Sequence, residues 1–343
     1  MSEKVVIAMS GGVDSSVAAF LLKQRGMAVE GVFFMLFDEP EAVEMVKKTA
    51  EFFKINLHIK DLRATFQKEV IEPFFTAYKK GITPNPCVVC NRKIKFPVLM
   101  EFAKKLKAKY VATGHYARVK NQNTMSFLLK GLDSKKDQSY FLYGLDRKFL
   151  SNIIFPLGEY TKEKVKSLAE EIALPSKVSK ESTEVCFLKD RRYYEFIKPV
   201  EYGPIIDIST GKIIGQHKGI HLYTIGQRKR LGIASPNPLY VLKIDSLKKA
   251  IFVGTKEKAY KREVIAGELN WLFDLEENEF FCEVKIRYAM SPEKALLKVV
   301  DRETVQILFE KPQFAPTPGQ SAVFYRDDTV LGGGVIKEIG QDF

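Results

Sequence analysis

The chain has 343 residues, 45% hydrophobic and 28% charged, which is an ordinary balance for a soluble protein of two or three domains. No stretch approaches the roughly 18 apolar residues of a membrane span, and the N-terminus lacks a signal-peptide pattern, so we expect a cytoplasmic protein without a membrane partner. Lys and Arg outnumber Asp and Glu by 54 to 42, and this net charge of +12 favours a polyanionic partner over solubility alone.

The first half of the chain alternates strand patterns with amphipathic helix patterns. Apolar, β-branched runs predict strands at residues 5–9, 28–37, 56–61 and 109–113. Helical spacing of apolar residues predicts helices at 15–25, 41–54, 64–79 and 93–107. This alternation predicts an α/β domain with a doubly wound parallel sheet.

After about residue 199 the chain consists of short strand patterns separated by turn signals. Residues 279–288 alternate, with Cys282, Val284 and Ile286 on one face and Lys285 and Arg287 on the outward polar face. We expect a small mixed module in the middle of the chain and an all-β module at its end.

A glycine-rich loop lies between the first predicted strand and the first predicted helix. Gly11 and Gly12 allow backbone N–H groups to approach an anion, and the helix N-terminus adds positive potential. Ser10 and Ser15 add hydroxyl groups, and Asp14 fits beside Mg²⁺. The Gly-Lys-Ser/Thr ending of a Walker A loop is absent. The alternative is a plain glycine-rich turn.

Four cysteines in a chain of this length do not form a disulfide scaffold. Cys87 and Cys90 lie in a proline-stiffened loop that leads to the predicted helix at 93, where we expect a lowered thiol pKa. A structural zinc half-site is the alternative for this pair. Cys186 is either a reactive thiol or a small buried residue, whereas Cys282 belongs to the apolar face of a strand.

The loop at residues 8–16 resembles the PP-loop of ATP pyrophosphatases, which cleave ATP between its α and β phosphates. The chain as a whole resembles the tRNA-specific 2-thiouridylases (the MnmA family), and the likeness covers nearly its full length. Besides the loop, the matching segments are residues 81–96, 113–118, 137–142, 182–187, 223–229 and 318–320.

This resemblance implies a PP-loop domain at 1–198, a small central mixed domain at 199–260 and a C-terminal antiparallel β-barrel that contacts tRNA at 261–343. The implied activity is ATP-dependent 2-thiolation of a wobble uridine through an adenylated base and a cysteine persulfide. Cys90 would be the catalytic nucleophile and Cys186 the persulfide carrier, and the two could close a disulfide after transfer. The implied cofactors are ATP and Mg²⁺. The implied partners are the anticodon region of tRNA and a sulfur-donating protein such as a cysteine desulfurase or a relay protein.

The resemblance also assigns residues to two ligands. ATP would be bound by Ala8, Met9, Ser10, Gly11, Gly12, Val13, Asp14, Ser15, Met35 and Gly114, with Asp14 serving the Mg²⁺ that accompanies ATP. The target base and tRNA would contact Asn85, Pro86, Cys87, His115, Lys136, Asp137, Gln138, Arg287, Tyr288 and Gln320.

The chain departs from the family pattern in three places. Cys87 stands where an aspartate is common, the segment after Phe37 is short, and Arg230 stands where a glycine is usual. A thiol titrates near 8.5 and a carboxylate near 3.9, so Cys87 cannot perform the same proton chemistry as aspartate. Cys87, Cys90 and Cys186 could instead hold a [4Fe–4S] cluster that uses sulfide.

Two further functions compete with tRNA thiolation. One is an adenylating small-molecule ligase of the PP-loop class, but the four histidines give no sign of the glutaminase domain that glutamine-fed members carry. The other is a tRNA-binding protein without turnover, against which the intact loop and the three cysteines argue. ATP-to-AMP turnover stimulated by tRNA separates the three hypotheses.

Overall fold

A computed structural model describes residues 2–175, 185–188, 192–198 and 201–340. The strands of its first half are β1 (Lys4–Ala8), β2 (Ala28–Met35), β3 (Asn56–Asp61), β4 (Tyr110–Ala112), β5 (Ala117–Gln122), β6 (Met125–Lys130) and β7 (Ile153–Ile154). The remaining strands are β8 (Gly203–Asp207), β9 (Ile213–His217), β10 (Tyr240–Asp245), β11 (Ala250–Gly254), β12 (Tyr260–Trp271), β13 (Glu279–Lys285), β14 (Glu293–Val299), β15 (Thr304–Phe314), β16 (Ser321–Arg326) and β17 (Thr329–Ile339).

The α-helices belong mainly to the first half of the chain. They are α1 (Val13–Gln24), α2 (Pro40–Phe52), α3 (Arg63–Phe66), α4 (Glu72–Lys79), α5 (Pro86–Cys90), α6 (Phe96–Leu106) and α7 (Lys162–Glu171). π-helical segments at Gln67–Ile71 and Asn91–Lys95 join α3 to α4 and α5 to α6. Within the described residues, no helix is both long and apolar enough to cross a membrane.

The N-terminal sheet is parallel and has the order β3-β2-β1-β4-β7. In its central strand β1, Val5, Val6 and Ile7 are fully buried. Val6 packs in the cluster that contains Leu99 of α6, whereas Val5 and Ile7 pack in the cluster that contains Val17 of α1. Helices therefore cover both faces, and the predicted doubly wound sheet is confirmed.

The predicted helix at 93–107 begins earlier in the structure than the sequence suggested. Helical structure starts at Pro86 and continues through the π segment into α6. Proline at the first helical position is compatible with a helix because its missing N–H has no intrahelical acceptor there. The prediction of a loop around Cys87 and Cys90 was therefore wrong, since both residues are helical.

The central module is a four-stranded sheet with the order β10-β11-β8-β9. Its core contains Ile205, Val241, Ile251 and Val253, all fully buried. Gly81, just beyond α4, adopts φ of +71°, and a Cβ there would lie 2.4 Å from Ile244 in β10. The central module thus packs closely against the helical run that precedes the cysteine segment.

The C-terminal sheet closes on itself. Strands run in the order β12-β15-β14-β13-β16-β17, and β12 also pairs with β17, which makes an antiparallel six-stranded barrel. The alternation predicted for 279–288 is confirmed, because Cys282, Val284 and Ile286 face the barrel core. Cys282 is 8% exposed, in agreement with its predicted role as a packing residue.

A hairpin of the first half of the chain extends the barrel sheet, and the sequence did not indicate it. Strands β5 and β6 pair with each other, and β6 joins β17 through Leu129 and Thr329. The backbone N–H of Lys130 donates to the carbonyl of Asp328 at 2.8 Å. The proposed domain limits at 198/199 and 260/261 remain predictions, since residues 199–200 lie outside the described part of the chain.

Candidate active site

The PP-loop lies where the order of the parallel sheet reverses. Strands β1 and β4 are neighbours, and their carboxyl ends lead into Ser10 and Thr113 respectively. Ligands of open α/β sheets bind at such switch points, because the chain leaves the two strands in opposite directions and opens a crevice. The fold brings together the predicted ATP-binding segments at 8–15 and at Gly114.

Two glycines of this crevice are required by geometry. Gly11 has φ of +79°, and a Cβ there would lie 3.0 Å from the carbonyl oxygen of Ala42. A Cβ on Gly114 would lie 3.0 Å from the backbone nitrogen of Ser15. The loop after β4 can therefore approach the start of α1 only with glycine at position 114.

The first turn of α1 has no side-chain cap at Gly12, so its amide groups remain available to an anion. The hydroxyls of Ser10 and Ser15 lie 3.1 Å apart, and the Ser15 hydroxyl donates to the Gly12 carbonyl at 3.1 Å. These contacts connect the two ends of the loop. The arrangement fits a phosphate group.

Asp14, the predicted Mg²⁺ ligand, has protein partners in this structure. Lys162 Nζ lies 2.6 and 2.8 Å from its two carboxylate oxygens, and the Tyr116 hydroxyl donates to Oδ1 at 2.9 Å. Lys162 is 8% exposed. The sequence analysis missed it because 148 residues separate it from Asp14 and no local motif marks it.

Cys87 and Cys90 lie one helical turn apart in α5 but in different environments. Cys87 is exposed, whereas Cys90 is 6% exposed. Cys90 packs in an apolar cluster with Phe66 and Ile94, against which Phe187 also packs. Phe187 directly follows Cys186 in the chain, so the fold brings the predicted carrier to the cluster that holds the predicted nucleophile.

Cys186 begins a short 3-10 turn, Cys186–Leu188, and is exposed. Phe187 anchors this turn, with its ring centroid 5.8 Å from that of Phe66 and 5.1 Å from that of Phe74. Residues 182–184 of the matching motif lie outside the described residues. The packing of Phe187 against these two rings therefore fixes the turn that carries the Cys186 thiol.

The expected lowering of the thiol pKa near the helix N-terminus was wrong. Burial raises the pKa of Cys87, of Cys90 and of Cys186, the last to about 12. Although water reaches Cys87 and Cys186, the surrounding protein disfavours their thiolates. In all three cases the charge of Lys95 acts in the opposite direction and lowers the thiol pKa.

Lys95 is a site residue that the sequence analysis did not single out. Burial lowers the pKa of Lys95, but the nearby Cys90, Cys186 and Cys87 outweigh it, so the pKa of Lys95 is raised above its ordinary value. Lys95 ends the π-helical segment that follows Cys90. A π segment changes which residues share a helix face, and this change is invisible to a search for 3.6-residue periodicity.

Replacing Lys95 with methionine should slow alkylation of the exposed Cys87 and Cys186 thiols near pH 8. Loss of the ammonium removes the charge that favours the thiolates, and each unit of pKa increase lowers the thiolate fraction about tenfold. Peptide-resolved mass spectrometry with iodoacetamide across a pH series measures the effect. Lys93→Met is the matched control, because Lys93 is exposed and pairs with Glu69 at 2.8 Å. Identical pH profiles for the two variants would contradict this role of Lys95.

His115 directly follows Gly114 of the crevice, and the charge of Lys95 acts on its ring. Burial, together with the charge of Lys95, lowers the pKa of His115 to about 3, so its ring is neutral at physiological pH. Thr113 Oγ1 lies 2.7 Å from Nδ1, and the ring packs against Phe96 at a centroid distance of 6.2 Å. The predicted contact of His115 with tRNA therefore involves an uncharged imidazole.

The barrel supports the segment that leads into the cysteine helix. Gln320 Nε2 donates to the carbonyl of Thr83 at 3.1 Å, and Asn85 Nδ2 lies 3.4 Å from the Ser321 hydroxyl. A Cβ on Gly319, where φ is +90°, would lie 2.8 Å from the Thr83 carbonyl oxygen. Asn85 and Gln320, two predicted tRNA-binding residues, are thus brought near each other although they lie 235 positions apart in the chain.

The segment at 136–138 has strong internal contacts. Asp137 is 6% exposed, and its carboxylate accepts from the backbone N–H groups of Gly131 and Ser139 at 2.9 and 3.0 Å. Gln138 Oε1 accepts from the backbone N–H of Tyr116 at 2.9 Å. These two side chains hold the loop in position. The contact of this segment with tRNA remains a prediction.

Arg287 lies on the face opposite the barrel core, as the alternation predicted, but its guanidinium is bound by protein groups and is not simply solvated. Its Nη2 lies 3.0 Å from the Ile225 carbonyl, 2.7 Å from the Ala315 carbonyl and 2.6 Å from Thr317 Oγ1. Arg287 therefore links the central module to the barrel. Tyr288 is 37% exposed and packs against Phe141 at 4.6 Å between ring centroids. The tRNA contacts of both residues remain predictions.

Arg230, one of the three expected departures from the family pattern, has φ of +69°. This conformation costs a non-glycine residue roughly 1 kcal/mol or more, and glycine would adopt it without that cost. The Arg230 guanidinium lies 3.1 Å from the Tyr194 hydroxyl through Nη1. This contact joins the Arg230 segment to the short 3-10 turn at Tyr193–Phe196.

No group of three or more His, Cys, Asp or Glu side chains is placed to hold a metal ion within the described residues. The donor chemistry of Asp14 suits Mg²⁺, but both its oxygens are paired with Lys162. For a cluster, the Cys87, Cys90 and Cys186 thiols are the suitable donors, and their present arrangement does not form a metal site.

The parallel sheet, the glycine-bearing switch point and the appended barrel define a HUP-type PP-loop protein with a β-barrel. Family models match in the same order: the tRNA methyl transferase HUP domain at residues 3–190, its PRC-barrel domain at 193–255 and an aminomethyltransferase beta-barrel domain at 261–336.

Curated relatives match the chain along its whole length. It is 43% identical to tRNA-specific 2-thiouridylase MnmA 1 of Caldanaerobacter subterraneus subsp. tengcongensis, over 98% of this chain and 99% of the relative. It is 43% identical to MnmA 2 of Thermoanaerobacter sp. strain X514 and 41% identical to MnmA 2 of Clostridium botulinum strain Hall. Each of these two alignments covers 98% of both chains. The chain therefore belongs to the tRNA-specific 2-thiouridylase family.

Proposed function

We propose that this protein is a cytoplasmic tRNA-uridine 2-sulfurtransferase that adenylates a wobble uridine and replaces its C2 oxygen with sulfur. The observation that carries the proposal is the position of the cysteines. The segment holding Cys87 and Cys90 and the turn holding Cys186 meet at one apolar cluster, on the same module as the PP-loop. The names of the relatives support the same reaction.

The first step joins the uridine C2 oxygen to the α-phosphorus of ATP. Pyrophosphate leaves with the electrons of the broken P–O bond, and the N3 proton passes to solvent. The loop amides and Ser10 would hold the phosphates, and Mg²⁺ with Asp14 as a ligand would supply charge neutralisation. Adenylation turns the C2 oxygen into part of a good leaving group, AMP.

The second step transfers sulfur. The terminal sulfur of a Cys186 persulfide bonds to C2, and AMP leaves with the former C2 oxygen and its electron pair. The Cys90 thiolate then attacks the inner Cys186 sulfur, which forms a Cys90–Cys186 disulfide and leaves the outer sulfur on C2. The base regains its N3 proton, and a dithiol reductant reopens the disulfide. A sulfur-donating protein supplies the persulfide sulfur.

A [4Fe–4S] cluster on Cys87, Cys90 and Cys186 is the alternative route to the same product. The common influence of Lys95 on the three thiols supports their proximity. Iron content and absorbance at roughly 400 nm in anaerobically prepared protein test this route. Cys87→Asp should remain active in air with a persulfide donor if no cluster is needed, and should lose iron and activity if the cluster is the sulfur carrier.

The proposed function predicts that tRNA stimulates release of pyrophosphate from ATP, and also of AMP when a sulfur donor supplies the persulfide. Nucleoside analysis of the tRNA should show 2-thiouridine when a sulfurtransferase donor is present. S-adenosylmethionine in place of ATP tests the methyl transfer named in the family-model description. Methylation without AMP release would overturn the proposal, and AMP release that responds to a small acid or amine but not to tRNA would favour the ligase hypothesis.

Affinity for tRNA should fall steeply with salt, because a net charge of +12 favours binding by counterion release. Charge reversal at the exposed Arg228 should reduce the salt slope by about one phosphate contact. Arg287 is unsuitable for this measurement, since its guanidinium links two modules. Filter binding between low and moderate salt measures the slope, and an affinity independent of salt would refute this mode of binding.

A further inference from the structure

The ion pair between Lys162 and Asp14 lies at the PP-loop and has no role in the steps described above. The ammonium is within hydrogen-bond distance of both carboxylate oxygens. The Lys162 side chain is only 10% exposed, whereas the Asp14 side chain is 36% exposed. The pair is therefore buried on the lysine side and open to solvent on the aspartate side, in the first turn of the helix that follows the loop.

The backbone and stem of Lys162 are held firmly. Lys162 is the first residue of α7, and Thr161 caps this helix by accepting from the backbone N–H of Lys164 at 3.2 Å. The backbone N–H of Lys162 donates to Asp133 Oδ2 at 3.0 Å. Its ammonium lies 5.8 Å from the Tyr116 ring centroid. Because the base of the side chain is fixed, only the ammonium end of Lys162 is able to move.

Packing of α7 on α1 does not need this ion pair. Val165 and Ala169 of α7 belong to the same buried apolar cluster as Val17 and Leu21 of α1. An ion pair removed from water gains little net stability, because the cost of desolvation offsets its attraction. The pair is therefore better explained by the chemistry of the adjacent loop than by the docking of two helices.

A carboxylate in the first turn of α1 opposes binding of a polyphosphate unless a positive charge accompanies it. Lysine is suited to this task, because its compact ammonium on a flexible stem acts as a point charge toward phosphate. In this structure that charge lies beside the loop, on Asp14. A change of partner would bring it to a phosphate without rearrangement of the helices.

We infer that Lys162 is a ligand of the ATP phosphates and that Asp14 binds its ammonium until the nucleotide is bound. On nucleotide binding, Lys162 moves its ammonium from Asp14 to the oxygens of the phosphates that leave as pyrophosphate. The Asp14 carboxylate is then available to the cation that accompanies ATP. This inference rests on the proposed function, because it assumes that ATP binds at this loop.

Binding of inorganic pyrophosphate, measured by calorimetry in EDTA, tests the exchange without metal or turnover. Lys162→Met should weaken pyrophosphate binding by about tenfold, the effect of one lost charged contact, and should leave AMP binding nearly unchanged because AMP lacks the leaving phosphates. Asp14→Asn should strengthen pyrophosphate binding under the same conditions, because it removes a competing carboxylate and frees the ammonium. The two variants therefore change the affinity in opposite directions.

A purely structural ion pair predicts a different pattern, in which both variants lower thermal stability and weaken pyrophosphate and AMP alike. That result would overturn the inference. Lys164→Met is the matched control, since Lys164 is exposed and lies 3.6 Å from Glu171. If Lys162→Met folds poorly, Lys162→Arg should retain pyrophosphate binding, and the Asp14→Asn measurement stands by itself. Failure of tRNA to stimulate AMP release by the parent protein would instead overturn the proposed function.

Discussion

Replacing Cys186 with serine should abolish formation of 2-thiouridine while tRNA-dependent adenylation, seen as pyrophosphate release, still occurs. A serine hydroxyl cannot carry a persulfide, but adenylation of the base does not need this residue. Cys90→Ser should also stop release of the thiolated product, because no thiolate remains to attack the inner sulfur. Mass spectrometry of digested tRNA measures the product, and a single-turnover assay with labelled ATP measures pyrophosphate. A Cys186→Ser protein that still thiolates tRNA would show that the sulfur carrier is elsewhere.

Cys282→Ser is the matched control for both substitutions. Cys282 is buried in the barrel core, where burial raises the pKa of its thiol to about 12. Serine there places a hydroxyl in an apolar cluster and should cost on the order of 1–3 kcal/mol of stability. Thiolation below the melting transition should remain near the parent level. A full loss of activity in this folded control would invalidate the comparison.

Asp14→Ala should reduce tRNA-dependent AMP release by at least about a hundredfold, since it removes the only carboxylate in the first turn of the PP-loop helix. Affinity for tRNA should stay within about twofold of the parent, because Asp14 contacts Lys162 and Tyr116 and lies on no predicted RNA surface. Rapid quench assays with labelled ATP and filter binding with tRNA separate the two effects.

The control for Asp14 is Asp274→Ala, in which an exposed carboxylate paired with Arg147 is lost. Both variants remove one negative charge, so any general change in attraction to tRNA is matched. Thermal melts must accompany the assay, because loss of Asp14 leaves a buried ammonium without its partner. Undiminished AMP release in a folded Asp14→Ala protein would refute the assignment of Asp14 to the nucleotide site.

Local sequence patterns predicted the parallel domain well because its strands and helices each bury a short continuous segment. Strand 56–61 was predicted with the observed bounds, and β1 and β2 differed only at their ends. The pattern at 279–288 predicted the barrel face for the same reason. The hairpin β5–β6 was missed because its partner in the sheet lies near the other end of the chain.

The candidate site was predictable where a motif is contiguous and unpredictable where the fold assembles it. Gly11 and Gly12 are adjacent in sequence, so their role could be proposed from the loop alone. Lys95 and Lys162 act through groups that folding brings near them, and isolated lysines are common on any basic protein surface. The environment of Cys90 was also misjudged, because the cluster around it comes from several separate segments.

The hairpin shared with the barrel has a consequence for how the chain acquires its structure during synthesis. The β5–β6 hairpin leaves the ribosome long before Thr329, its partner in β17, and domains generally fold in order from the N-terminus. Until β17 arrives, β6 presents unpaired backbone groups that another chain could bind. The Thr83 carbonyl likewise lacks its hydrogen bond from Gln320 until the end of the chain has been synthesised. A nascent or truncated chain should therefore aggregate readily and lack a formed cysteine site, so that completion of translation itself controls when the enzyme becomes active.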